Sequence, residues 1–206
     1  MIIKQLIVCI ILLPFTAFNI IDVQDPLVNL ESYSTQFSYD IRYATSNNFM
    51  NLPLYDCEVC LLQEVVANAL NEANQYFCEK GYKIKIYDCY RPLDIQKQMW
   101  EKVPNAIYVA NPYDGGSVHN RGAAVDITLV TIDDCFVDMG TEYDYFGREA
   151  HIDFEGHSKS ILNNRKLLSD GMKLFGFNTI QSEWWHFSFS KNTSFPIKNI
   201  PLPCNE

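Results

Sequence analysis

Four histidines occur in the chain, His119, His151, His157 and His186, and two of them stand among other reactive side chains. The first segment reads Ser117-Val118-His119-Asn120-Arg121-Gly122-Ala123-Ala124-Val125-Asp126. A loop histidine is followed by small residues that permit close backbone approach, and then by an aspartate inside the apolar run Ala-Ala-Val-Asp-Ile-Thr-Leu-Val. Burying that carboxylate without a partner costs several kcal/mol. A metal ion would remove the cost, and imidazole nitrogen with carboxylate oxygen suits zinc. A bond from Arg121 or from backbone amides would remove it equally well.

The second segment is Glu183-Trp184-Trp185-His186-Phe187. Residues three apart in a straight strand point to opposite faces, so Glu183 and His186 share a site only if the chain turns or bulges at the tryptophan pair. A catalytic zinc site takes three protein ligands and keeps one position for water, whose proton a nearby carboxylate accepts. His119, Asp126 and His186 fit as ligands and Glu183 as the base. The competing reading is a core tryptophan pair beside an exposed glutamate and a hydrogen-bonded histidine. In a third segment, Tyr87-Asp88-Cys89-Tyr90-Arg91-Pro92, Arg91 leaves the end of a strand. There a guanidinium can stabilise the charge that builds on a carbonyl oxygen during amide hydrolysis, or simply pair with a surface carboxylate.

The elements that must position these groups are read from periodicity. Apolar residues at 59, 61, 62, 65, 66, 69, 70, 73, 76 and 77 predict a helix over 56–80, which Gly81 stops. Alternation predicts a strand over 83–88, Pro92 starts a turn before a short helix over 93–101, and 111–116 is a Pro/Gly/Asp loop. Residues 123–131 and 184–190 read as strands, and 159–175 as a helix with Gly176 as its stop. Helices and strands mix without strict βαβ alternation, which predicts an α+β fold: one domain, with a central, mainly antiparallel sheet flanked by helices.

Composition narrows the classes. The 206 residues carry 25 acidic against 16 basic side chains, and 48% are hydrophobic, so a compact acidic domain is expected and nucleic acid is not a partner. The first residues, with Lys4 before the apolar run Gln5 to Leu13 and Pro14 after it, have the form of a secretory signal over 1–21. The mature domain is then 22–206, exported to the periplasm or medium, with no stable membrane span after cleavage. Six cysteines remain, Cys57, Cys60, Cys78, Cys89, Cys135 and Cys204, for which structural disulfides are expected over free thiols or redox and metal chemistry. The sequence does not choose their connectivity, nor the oligomeric state. Asn192-Thr193-Ser194 is a glycosylation sequon, meaningful only in a eukaryotic host.

Together the pattern Ser-x-His-x-x-Gly-x-Ala-x-Asp and the later Glu-x-x-His resemble the zinc signature shared by D,D-carboxypeptidases, D-alanyl-D-alanine dipeptidases and the hedgehog amino-terminal domain. Within that group the chain looks most like the VanX-type D-alanyl-D-alanine dipeptidases. The likeness runs through Asp40 to Phe49, Tyr90-Arg91-Pro92, Ser117 to Asp126, Met139 to Tyr145, Asn164-Arg165, Gly176-Phe177 and Glu183 to His186, in order.

The resemblance implies one zinc ion per chain held by His119, Asp126 and His186. It makes Glu183 the general base and acid, and Arg91 the stabiliser of the tetrahedral intermediate. It also implies that Asp144 holds the substrate's free amino group, with Ser117 and Tyr43 lining that pocket. The implied reaction is hydrolysis of free D-alanyl-D-alanine in cell-wall peptide turnover. The alternatives are a D,D-carboxypeptidase of the same fold acting on peptidoglycan stems, or a zinc-bearing binding module without turnover. Asp144 weighs against the former, and retention of both Glu183 and Arg91 against the latter. One departure stands out: Cys89 occupies a position where the family usually has a small residue such as glycine.

Overall fold

A computed structural model describes residues 26–33, 36–190 and 195–204. The signal segment with its cleavage site, and the sequon, lie outside the described residues. In chain order the strands and helices are β1 (Leu27–Asn29), β2 (Ser38–Tyr39), β3 (Leu61–Gln63), α1 (Glu64–Cys78), β4 (Tyr82–Asp88), α2 (Leu93–Lys102), β5 (Ala124–Thr131), α3 (Lys159–Leu174), β6 (Phe177–Thr179) and β7 (His186–Phe189). Five strands form one sheet in the order β2-β4-β5-β7-β6, in which only the β2–β4 pair is parallel. The small antiparallel pair β1–β3 lies apart from it. This is the expected α+β architecture with a mainly antiparallel sheet.

The central strand β5 is buried on both faces. Val125, Ile127 and Leu129 enter the hydrophobic core, while Asp126 and Thr128 alternate with them on the opposite face. Helix α1 buries Val66, Ala67, Leu70, Ala73 and Phe77 against β4 and α3, and its buried Asn74 accepts the Ile84 N–H at 2.8 Å. Helix α3 is capped by Ser158, whose hydroxyl accepts the Ile161 N–H.

The predicted first helix is shorter than its apolar stripe. Residues 56–63 are not helical: Cys57 and Cys60 are each tied to distant cysteines, and Leu61–Gln63 pair with Leu27–Asn29. Short strands such as β1, β2, β3 and β6 carry too few residues for a period to show. The predicted strand over 184–190 begins only at His186, because 181–185 are bends and irregular backbone. That is the turn that Glu183 and His186 require in order to meet.

Disulfides join Cys57 to Cys204 and Cys60 to Cys89, while Cys78 and Cys135 are free. The Cys57-x-x-Cys60 pair is thus no redox or metal motif, since each thiol reaches a different partner. Cys60 and Cys89 are buried, whereas Cys57 and Cys204 are partly accessible. A phosphine reductant under native conditions is therefore expected to open Cys57–Cys204 first, because nucleophilic attack needs access to sulfur. Peptide mapping of alkylated thiols over time checks this; prior labelling of Cys60 and Cys89 contradicts it.

Candidate functional site

The sheet register assembles the site. Asp88 lies opposite Asp126, and Asp126 opposite His186, so three neighbouring strands place three ionisable side chains in one row. His119 joins them from a short 310 turn, Val118–Arg121, that precedes β5. Ser117 caps this turn by accepting the His119 N–H, and Asn120 closes a capping box by accepting the Ser117 N–H at 2.8 Å. Gly122 ends the turn at φ 64°, where a Cβ would collide with Leu27. The chain can therefore reverse from His119 into β5 without leaving the sheet edge of β3, whose Gln63 N–H bonds the Gly122 carbonyl.

His119 Nε2 stands 3.2 Å from Asp126 Oδ1 and 3.1 Å from His186 Nδ1, and the third side of the triangle, His186 Nδ1 to Asp126 Oδ1, is 3.0 Å. All three residues are buried. Each histidine is oriented by its other nitrogen. His119 Nδ1–H donates to the Cys89 carbonyl at 2.6 Å, and His186 Nε2 meets Ser188 Oγ at 2.8 Å. A carbonyl can only accept, so Nδ1 carries a proton and Nε2 is the nitrogen turned to the triangle. Burial opposes charge on Asp126, but the two imidazoles hold its carboxyl well below the usual range. Its second oxygen accepts the Tyr143 hydroxyl at 2.9 Å. The alternative partner, Arg121, bonds the carbonyls of Phe195 and Gly115 instead.

These donors fit a metal ion. Ligand atoms around a tetrahedral ion with bonds of about 2.0–2.1 Å lie about 3.3–3.4 Å apart, close to the edges of this triangle. Two outward nitrogens anchored on a carbonyl and a hydroxyl match the outer hydrogen bonds that orient metal-bound histidines.

Around the triangle is a cavity of about 220 Å³, lined among others by Tyr43, Arg91, Ser117, Asp144 and Glu183. Every residue singled out in the sequence therefore borders one space. Arg91 is buried rather than a surface partner: Nε and Nη2 donate to Asp88 Oδ2 at 3.0 and 2.7 Å, and Nη1 to Gln96 Oε1 at 2.8 Å. Burial disfavours its charge, but Asp88 together with Tyr43, Tyr55 and Tyr143 more than offsets that, so the guanidinium stays charged. Glu183 is raised well above the carboxylate range by desolvation and by the charges of Asp126 and Asp144.

Asp144, at φ 60°, accepts the Tyr43 hydroxyl at 3.1 Å and the Phe49 N–H at 3.3 Å. Desolvation, then the Asp126 charge, pushes it up to about 7. An acid whose folded value exceeds its unfolded value of about 3.9 destabilises the fold as pH rises between the two. Asp144→Asn is thus expected to gain about 1–3 kcal/mol relative to wild type on moving the metal-free protein from pH 5 to pH 8. Paired thermal melts test this, and a pH-independent difference contradicts it.

Several contributing residues were not evident from the sequence. Asp88 and Gln96 hold Arg91, Tyr55 holds Asp88, Tyr143 holds Asp126, and Ser188 orients His186. Two carried a readable signal: Asp88 stands three residues before Arg91 at a strand end, and Ser188 lies two after His186 on the same strand face.

Two imidazoles and a carboxylate converging on one point, with a second carboxylate and a guanidinium on the same small cavity, are the arrangement of a metal-dependent peptidase. The chain belongs to the D-ala-D-ala dipeptidase family, whose model matches residues 24–200. The D-alanyl-D-alanine dipeptidase of Escherichia coli (strain K12) is 32% identical over 178 residues, covering 86% of this chain and 92% of that protein. Proteins of the same name from Enterococcus faecium and Enterococcus faecalis (strain ATCC 700802 / V583) are 28% and 27% identical, covering 80% and 72% of this chain and 91% and 84% of their own lengths.

Proposed function

We propose that the chain is a zinc dipeptidase that hydrolyses free D-alanyl-D-alanine to two molecules of D-alanine. The observation that carries this reading is the placement of Asp144 and the His119–Asp126–His186 triangle on one small cavity. At about 220 Å³ it falls below the roughly 300–1,000 Å³ of pockets for drug-sized ligands, and one boundary is a carboxylate suited to an ammonium group. A free amino terminus is accommodated there, while an acylated or extended one places a neutral amide against Asp144.

His119, Asp126 and His186 would hold the zinc, which supplies a Lewis acid and lowers the pKa of water when bound. Glu183 takes the proton of the attacking water and returns one to the leaving amine. Its place on the wall of the same cavity suits both transfers. Arg91 has three of its five N–H groups occupied by Asp88 and Gln96, and the remainder can face the oxygen on which charge develops. Asp144, held by Tyr43, receives the substrate ammonium, and Ser117 lines the same pocket.

Export fits this reading. The apolar run before Pro14 and the two disulfides support an oxidising compartment outside the cytoplasm, where wall-derived dipeptide would be the substrate. Amino-terminal sequencing of the secreted protein locates the cleavage.

The functional test offers zinc-loaded protein D-alanyl-D-alanine, its N-acetyl form and a pentapeptide stem, with D-alanine as the product measured. Release from the free dipeptide alone is expected. Release from the blocked or longer substrates would make it a carboxypeptidase, and none from any of them, with zinc bound, would leave a binding module.

A further inference from the structure

Regular strand pairing stops where β4 reaches the metal triangle, and a disulfide sits at that point. The register between β4 and β5 shifts after Ile86, and its last pair is Asp88 with Asp126. Cys89 comes next. Its carbonyl accepts the His119 Nδ1–H at 2.6 Å, and its sulfur is bonded to Cys60. On one side of it Asp88 grips the Arg91 guanidinium, and on the other the Tyr90 N–H bonds the Leu61 carbonyl at 3.0 Å.

We propose that the Cys60–Cys89 disulfide is a positioning device for the metal centre, fixing the Cys89 carbonyl against His119 so that Nε2 faces Asp126 and His186. The inference rests on reading those three residues as metal ligands. An outer hydrogen bond of this kind sets both ring orientation and tautomer, and its loss typically lowers metal affinity about 10–100-fold. The carbonyl is only as well placed as the backbone of residue 89.

Cys60 immediately precedes β3, and β3 also grips the far side of the histidine turn. Gln63 N–H bonds the Gly122 carbonyl at 2.9 Å, and Gln63 Nε2 bonds the Arg121 carbonyl at 2.9 Å. One short strand thus supports the end of the turn that carries His119 and, through the neighbouring Cys60–Cys89 bond, the residue that holds its hydrogen-bond acceptor. The disulfide is the covalent part of that support.

Cys57–Cys204 provides the comparison. It spans a separation of 147 residues against 29 for Cys60–Cys89, so it restricts the unfolded chain more strongly. Stability and metal affinity should therefore respond in opposite order.

The experiment measures the zinc dissociation constant by chelator competition, and the melting temperature without metal, for the mature wild-type chain, C60A/C89A and C57A/C204A. The expected result is that C57A/C204A loses more Tm yet keeps its zinc affinity within about twofold, whereas C60A/C89A loses less Tm and binds zinc about 10–100-fold more weakly. Unchanged affinity in C60A/C89A overturns the proposal. So does a loss of affinity that follows the loss of Tm in both variants. If the alanine pair does not fold, C60S/C89S, closer in volume, is measured in the same way and read by the same criteria. Failure of the wild-type chain to bind one zinc would remove the reading of the site itself, and it would be seen before any variant is compared.

Discussion

Glu183→Gln is expected to keep the metal content of the wild type and to lower kcat on D-alanyl-D-alanine by about 10²–10⁴, with little change in KM. The amide preserves size and hydrogen bonding but cannot take a proton from water. Glu183 lies on the irregular backbone before β7 and lines the cavity, while the atoms that would hold the ion belong to the 310 turn, β5 and β7. Metal content and turnover therefore separate between variants. His119→Ala should lose the metal outright, since it breaks the triangle and also strands the Cys89 carbonyl. Metal analysis by mass spectrometry alongside initial rates distinguishes the two. Turnover by Glu183→Gln within tenfold of wild type would refute its role as base.

Much of this site was legible because its chemistry is costly to bury. An aspartate inside Ala-Ala-Val-Asp-Ile-Thr-Leu-Val demands a partner, and the partners are two histidines. The requirement that the chain bend between Glu183 and His186 also followed from strand geometry alone, and β7 begins only at His186. The long elements were readable because fifteen or sixteen residues of helix display their period, as in α1 and α3.

What was not legible depends on pairs distant in the chain. Tyr43 meets Asp144 across 101 residues, and Tyr55 meets Asp88 across 33. No local pattern encodes either contact. The helical stripe ran falsely back to residue 59 because strand and helix periods overlap over so short a run, and disulfides with β1 pairing decide the matter there. Cysteine count favoured disulfides, but connectivity came only with the fold, and it left Cys78 and Cys135 unpaired. The departure noted at Cys89 proved to be a structural bond beside the reactive groups.

Asp88→Asn should be the most destabilising change away from the metal ligands. Asp88 is fully buried, receives two bonds from Arg91 on one oxygen and accepts the Tyr55 hydroxyl at 2.8 Å on the other. Removing its charge leaves a buried guanidinium without its main counter-ion, a loss of about 3–5 kcal/mol in comparable pairs. The next carboxylate is Asp126, whose Oδ2 is 3.9 Å from Arg91 Nη2. The freed guanidinium is then drawn toward the carboxylate that the metal needs, and away from the oxygen on which charge develops.

Two effects on catalysis follow. Weaker metal binding is one; the other is a kcat lowered by about 10²-fold even at saturating metal, as expected for a misplaced charge in the transition state. Tyr55→Phe is the control. It removes the hydroxyl that bonds Asp88 but leaves the Asp88–Arg91 ion pair in place, so it should cost about 1 kcal/mol and lower kcat far less than Asp88→Asn does. Chemical denaturation and saturation kinetics at fixed excess zinc measure both variants. Wild-type kcat in a folded Asp88→Asn protein would show that Arg91 needs no carboxylate to aim it, and the positioning role assigned to Asp88 would fall.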